Sequence, residues 1–113
     1  MENESESTIH LASVPGSPVA CTLTSKDASR QALEWVDLQG HATAVEAIDG
    51  GARMTLPSSV AGQVEDLVRR ESACCSFLDI TMAIHQDELT LDVSSTNPDA
   101  QPVIAALSGV AVT

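Results

Sequence analysis

Aromatic residues are nearly missing: Trp35 and Phe77 are the only two in 113 residues, and tyrosine does not occur. The core must therefore be aliphatic, built from Val, Leu, Ile, Ala and Met. A platform on which bases or sugars stack is excluded, because such sites need several aromatic faces. Basic residues are scarce as well, 5 Lys and Arg against 16 Asp and Glu, for a net charge of −11. A surface this acidic repels phosphate backbones and anionic lipid, so neither nucleic acid nor a membrane is the expected partner. No apolar run approaches the roughly 18 residues of a membrane span. Met1 to Ser7 is polar and acidic and lacks the basic and apolar stretches of a signal peptide, which makes the cytoplasm the expected compartment. Also missing are a Gly-rich phosphate loop, Cys-x-x-Cys, His-Glu-x-x-His and Gly-x-Ser-x-Gly. The carboxylates are scattered, and no two of them read as an acid/base couple. Three cysteines are an odd count, and two are neighbours, which fits reduced thiols better than a secreted disulfide scaffold.

What remains has the length of one domain with a modest core. Residues 1–16, rich in Glu and Ser and closed by Pro15-Gly16, read as a disordered acidic tail, 17–109 as a single domain, and 110–113 as a C-terminal tail. Pro18 to Leu23 reads as a short strand. Thr24 or Ser25 follows as a helix cap, and Ala28, Ala32, Trp35 and Val36 recur at helical spacing over 26–38, up to Gly40. Residues 43–48 alternate as a strand, Asp49-Gly50-Gly51 is a hairpin turn, and Arg53 to Leu56 returns. Pro57-Ser58-Ser59 opens a second helix with the stripe Val60, Val64, Leu67, Val68. The clearest pattern comes next: Leu78, Ile80, Met82 and Ile84, then Leu89, Leu91 and Val93, each alternate with polar residues around a turn at Gln86-Asp87. Asn97 and Pro98 begin a last helix carrying Val103, Ile104 and Leu107, which stops at Gly109.

The order β-α-β-β-α-β-β-α implies an α+β two-layer sandwich, a mostly antiparallel sheet with helices on one face. Helix–strand–strand occurs twice. Residues 44–56 align with 79–91 without a gap, matching Val45 with Ile80, Thr55 with Thr90 and Leu56 with Leu91, the pattern of an internal αββ duplication.

The stretch that carries chemistry is Glu71-Ser72-Ala73-Cys74-Cys75-Ser76-Phe77-Leu78, where the second helix gives way to the hairpin. A disulfide between neighbours strains the intervening peptide and makes a poor staple, whereas two nearby thiolates suit a soft, thiophilic ion. Glu71, three and four residues earlier, lies on the same helical face and would support the pair from outside the ligand set, serve as a hard co-ligand, accept a thiol proton or simply be solvated. Cys21, near the end of the first strand, would supply a third sulfur if that strand lies beside the hairpin. Three thiolates suit As(III), Hg(II) or Cu(I), and Zn(II) if His85 or His41 added a fourth ligand. Arg69 and Arg70 would either lower a thiol pKa or balance charge. Alternatively the cysteines pack as small hydrophobes, with Trp35 as the anchor of its helix and Met54 and Met82 in the core.

With Cys21-Thr22-Leu23, Glu34-Trp35 and Glu71-x-x-Cys74-Cys75-x-Phe77-Leu78, residues 19 to about 108 resemble a group of small uncharacterised bacterial proteins. These share a Glu-x-x-Cys-Cys-x-Phe-hydrophobic motif and are sometimes joined to metal-responsive regulators of the MerR type. The resemblance implies Cys21, Cys74 and Cys75 as functional thiols and a link to heavy-metal or metalloid handling. Ser76 stands where many of those proteins have Pro, and no DNA-reading module accompanies the domain. The sequence thus points to a cytosolic thiol-based binding domain for a soft metal or metalloid ion, used for sensing, sequestration or transfer, with Cys21, Cys74 and Cys75 as ligands. The alternatives are a redox or nucleophilic cysteine enzyme and a purely structural domain. A homodimer or a protein partner is left open.

Overall fold

The strongest alternation produces the centre of the structure. In the computed structural model, which describes residues 6–14, 16 and 25–109, Asp79–His85 and Glu88–Ser94 pair as an antiparallel hairpin around Gln86 and Asp87. These strands are β4 and β5. Ala44–Ile48 (β2) and Gly51–Pro57 (β3) form the second hairpin, and Glu6–Leu11 (β1) is a further strand. The five make one antiparallel sheet in the order β1-β4-β5-β3-β2.

The register explains why one face is dry. Ala52, Val93 and Ile80 lie in one row across β3, β5 and β4, and Met54, Leu91 and Met82 in the next; all six are buried. A one-residue slip would turn this whole set to solvent, so the aliphatic pattern fixes the pairing. The opposite face carries a polar row across all five strands, His10, Thr81, Asp92, Arg53 and Glu46. Within it the Arg53 guanidinium binds both carboxylate oxygens of Asp92, at 2.8 and 2.9 Å.

Three helices cover the apolar face. Helix α1 spans Ser25–Gln39, α2 spans Ala61–Cys74 after a 3-10 turn at Ser58–Val60, and α3 spans Gln101–Ser108. Helix α2 packs on β4, α3 on β3 and β5, and α1 on both other helices. Asn97 accepts the Asp99 N–H at 2.9 Å beside Pro98, and Gly109 ends α3 at φ 82°, as expected of a polar cap and a left-handed glycine. The Gln39 amide donates to the Ala106 and Leu107 carbonyls, 2.9 and 2.8 Å, so the end of α1 closes the end of α3.

The expected α+β architecture and element order are therefore present, with two differences. Residues Glu6–Leu11 lie within the stretch read as a disordered tail, yet they form an edge strand against β4. Ile9 pairs with Met82 and Leu11 with Ile80, and both pack against the core. Two apolar side chains two residues apart are too short a pattern to stand out among Glu and Ser. The first strand is thus β1; the expected strand from Pro18 to Leu23 lies outside the described residues. The second difference is the inner face of α1. It is Gln31, Trp35 and Leu38, while Val36 is 57% exposed and Ala32 also faces solvent. Among the described residues no helix is long and apolar enough to cross a membrane.

The two hairpins lie side by side with β3 against β5, so helix–strand–strand occurs twice about an approximate two-fold axis. Thr55 and Thr90, matched by the gapless alignment, are direct partners in the β3–β5 register.

Two glycines give opposite expectations. A Cβ on Gly51 would collide with the Val93 carbonyl oxygen and lie 2.7 Å from Ser94 Cα, backbone that cannot give way cheaply. Gly51→Ala should lower the unfolding free energy by about 2–3 kcal/mol. Gly62, on the outside of α2, has nothing within 4 Å, and Gly62→Ala should raise stability by about 0.5–1 kcal/mol. Urea denaturation of both variants measures the two signs.

Candidate metal centre

The site sits where α2 ends. Cys74 is its last helical residue, and Cys75 leaves the helix at φ −126° and ψ 71° while its N–H still donates to the Glu71 carbonyl at 2.7 Å. The Leu78 N–H donates to the Cys75 carbonyl at 3.1 Å, so Cys75 to Leu78 is a tight turn into β4, formed with Ser76 in its second position. This geometry puts both thiols on the same side of the chain. Their sulfurs are 3.4 Å apart, and neither cysteine is in a disulfide.

Glu71 is one helical turn back and faces them. Its Oε2 is 2.9 Å from Cys75 Sγ, which donates to it, and 3.9 Å from Cys74 Sγ. Its Oε1 is held from the other side: the Trp35 indole N–H donates at 2.7 Å and the Gln31 amide at 2.8 Å. The same amide lies 3.6 Å from Cys74 Sγ. Glu71, Cys74 and Cys75 are 5%, 4% and 3% exposed. A carboxylate this deep needs its hydrogen bonds, because an unpaired buried one would cost several kcal/mol, about 3 or more. No buried side-chain nitrogen or oxygen among the described residues lacks a partner.

The donors come from α1, which runs antiparallel to α2. Gln31 and Trp35 meet Glu71, Glu34 meets Arg70, and Asp37 meets Gln63 at the far end. Arg70 grips both carboxylate oxygens of Glu34, with 2.8 Å for Nη1 to Oε2, and also reaches Asp66; Arg69 pairs with Glu65. Of the two roles the sequence allowed these arginines, charge balance is the one seen. The Arg70 guanidinium holds the Glu34 carboxyl below its ordinary range, and Glu34 raises Arg70 in turn.

The ligand atoms of Glu71, Cys74 and Cys75 all lie within 4.8 Å of one another, and the group could hold a metal ion. One oxygen of Glu71 is among the three atoms of this group, as near the sulfurs as a co-ligand would stand. Cys21 lies outside the described residues. His41 is exposed and 3.9 Å from Asp37, and His85 is exposed at the far end of β4, so neither is a fourth ligand. His10, also exposed, lies 3.7 Å from Asp79. Gln31 escaped the sequence reading. Its only signal was its spacing, four residues before Trp35 and seven before Leu38, which puts a polar residue on a buried face.

Comparison with known proteins finds no match among protein-family models, curated proteins or solved structures. The site must be read from its own chemistry.

Two measurements test how the helices hold it. Trp35→Phe removes the indole donor from Glu71 and should cost about 2–3 kcal/mol in denaturant unfolding, more than Val36→Ala on the exposed face. Glu34 has its carboxyl lowered on folding. Its clamp therefore contributes fully above the unfolded value near 4.3 and is lost as pH falls through the lower folded value. Stability of the parent between about pH 5 and pH 2.5 should fall more than that of Glu34→Gln.

Proposed function

We propose that this domain captures a thiophilic metal or metalloid ion through the sulfurs of Cys74 and Cys75, with Glu71 as the third donor. The observation that carries this reading is the convergence of two thiols and one carboxylate oxygen, buried and within 4.8 Å of one another. Sulfur donors favour soft ions, Hg(II), As(III), Cu(I) or Zn(II), over Mg(II) or Ca(II). Cys21 as a further thiolate and a role in heavy-metal sensing, sequestration or transfer in the cytosol extend the same reading.

Two features favour capture over the alternatives. A nucleophilic or redox thiol gains from a helix N-terminus or a neighbouring cation. Here the pair sits at a helix C-terminus, the negative end of the dipole, beside a carboxylate. Both disfavour a resting thiolate until a cation or electrophile arrives. Packing alone, in turn, gives no reason for a buried carboxylate aimed at the sulfurs, since an aliphatic residue at 71 would serve the core at lower cost.

The test is native mass spectrometry of the protein equilibrated separately with zinc chloride, mercuric chloride and sodium arsenite. One ion per chain should be retained, and Trp35, the only tryptophan, should change its emission on loading because its indole is bonded to Glu71. Zinc occupancy should fall as pH drops, because protons compete for the thiolates. Retention by a Cys74→Ser, Cys75→Ser variant as tight as by the parent sinks the proposal. A Cys21→Ser variant reports whether that thiol belongs to the set.

A further inference from the structure

If the site is an ion site, as proposed above, its shape also selects among ions, and the geometry points to a trivalent, pyramidal group-15 species, arsenous acid or its monomethyl form, over a tetrahedral dication. The sulfurs are 3.4 Å apart. With sulfur–ion bonds of about 2.3 Å, that separation subtends about 95° at the bound atom. A tetrahedral ion at the same bond length needs about 3.8 Å, and a linear one about 4.6 Å. A heavy group-15 atom with three bonds and a lone pair bonds mainly through its p orbitals, so its bond angles lie just above a right angle. The tight turn from Cys75 to Leu78 and the Cys75 N–H bond to Glu71 fix the backbone from which the adjacent thiols project.

The donor count agrees. Glu71 Oε1 is taken by Trp35 and Gln31, which leaves Oε2 as the one oxygen facing the sulfurs. Among the described residues, two sulfurs and one oxygen acceptor are one donor short of a closed zinc site. They suit an arsenic atom bonded to both sulfurs and keeping one hydroxyl, whose O–H donates to Oε2 in place of the Cys75 S–H.

The exchange balances without charge or electrons. As(OH)3 and two S–H groups give (S)2As–OH and two waters: two As–S bonds form, two As–O bonds break, each thiol proton leaves in a water, and arsenic stays trivalent. A neutral molecule thus enters a buried site and exchanges there without adding charge to it. A hydrated dication must instead shed its shell and displace two protons into solvent. Monomethylarsonous acid, CH3As(OH)2, reacts likewise and gives CH3As(S)2 and two waters, with no hydroxyl left over.

The experiment is titration calorimetry of the full chain with sodium arsenite, monomethylarsonous acid and zinc chloride, in two buffers of different ionisation enthalpy. Arsenite should bind at least about 100-fold more tightly than zinc, with no net proton release, against about two protons for zinc. Glu71→Gln should weaken arsenite about tenfold and leave the methyl species within twofold, since only the former keeps a hydroxyl for Oε2. Either single cysteine variant should lose most of the arsenite affinity, and retained binding of the methyl species by Glu71→Gln serves as the folding control, since a misfolded site would lose both arsenicals. Zinc binding equal to or tighter than arsenite overturns this inference and leaves the ion-capture reading standing. Equal losses of both arsenicals in Glu71→Gln overturn the assignment to Oε2. No binding of any of the three overturns both.

Discussion

The carboxylate of Glu71 is the constraint on which the rest turns. It is buried, and its two oxygens face different tasks. Oε1 takes the indole of Trp35 and the amide of Gln31, which ties α1 to α2. Oε2 takes the thiol of Cys75 and faces Cys74. A carboxylate placed there without these partners would unfold the region that surrounds it. With them, the same group joins two helices and fixes the direction in which the thiols point. The Arg70–Glu34 pair one residue away repeats the connection on the outside, where water weakens it.

Much of this was legible before any coordinates. The alternation in 78–93 specified a hairpin with one dry face, and the 3.6-residue stripe of Val64, Leu67 and Val68 specified a helix over it; both follow from periodicity, which survives any tertiary context. The pair Cys74-Cys75 and Glu71 at helical spacing identified the group that converges. Less legible were the features that depend on partners distant in sequence. β1 has only Ile9 and Leu11 to mark it, and it becomes a strand because β4 offers an edge. The inner face of α1 was misjudged because Val36 is more apolar than Gln31. The hydrogen bond to Glu71, 40 residues away, is what pulls Gln31 inward.

The chain just after the thiols is anchored from two directions. The Val14 N–H donates to the Ser76 carbonyl at 2.7 Å, and the Ser13 N–H and hydroxyl both reach the Asp79 carboxylate. From the other side, the Ser95 hydroxyl donates to the Phe77 carbonyl at 2.8 Å. The turn that follows Cys75 is therefore held by the segment just after β1 and by the residue just after β5. Polar residues at 13, 79 and 95 thus brace the main chain just behind the sulfur pair.

The approximate two-fold of the sheet gives the position of the thiols a counterpart. The gapless alignment that matches Thr55 with Thr90 also matches the close of α1 with the close of α2, Gln39 with Cys74 and Gly40 with Cys75. One half of the molecule spends this helix terminus on the carbonyls of α3 and so completes the scaffold; the other leaves it for sulfur. Two like frames have thus taken up separate trades, one architectural and one chemical, and the symmetry of the backbone is broken by what hangs from it.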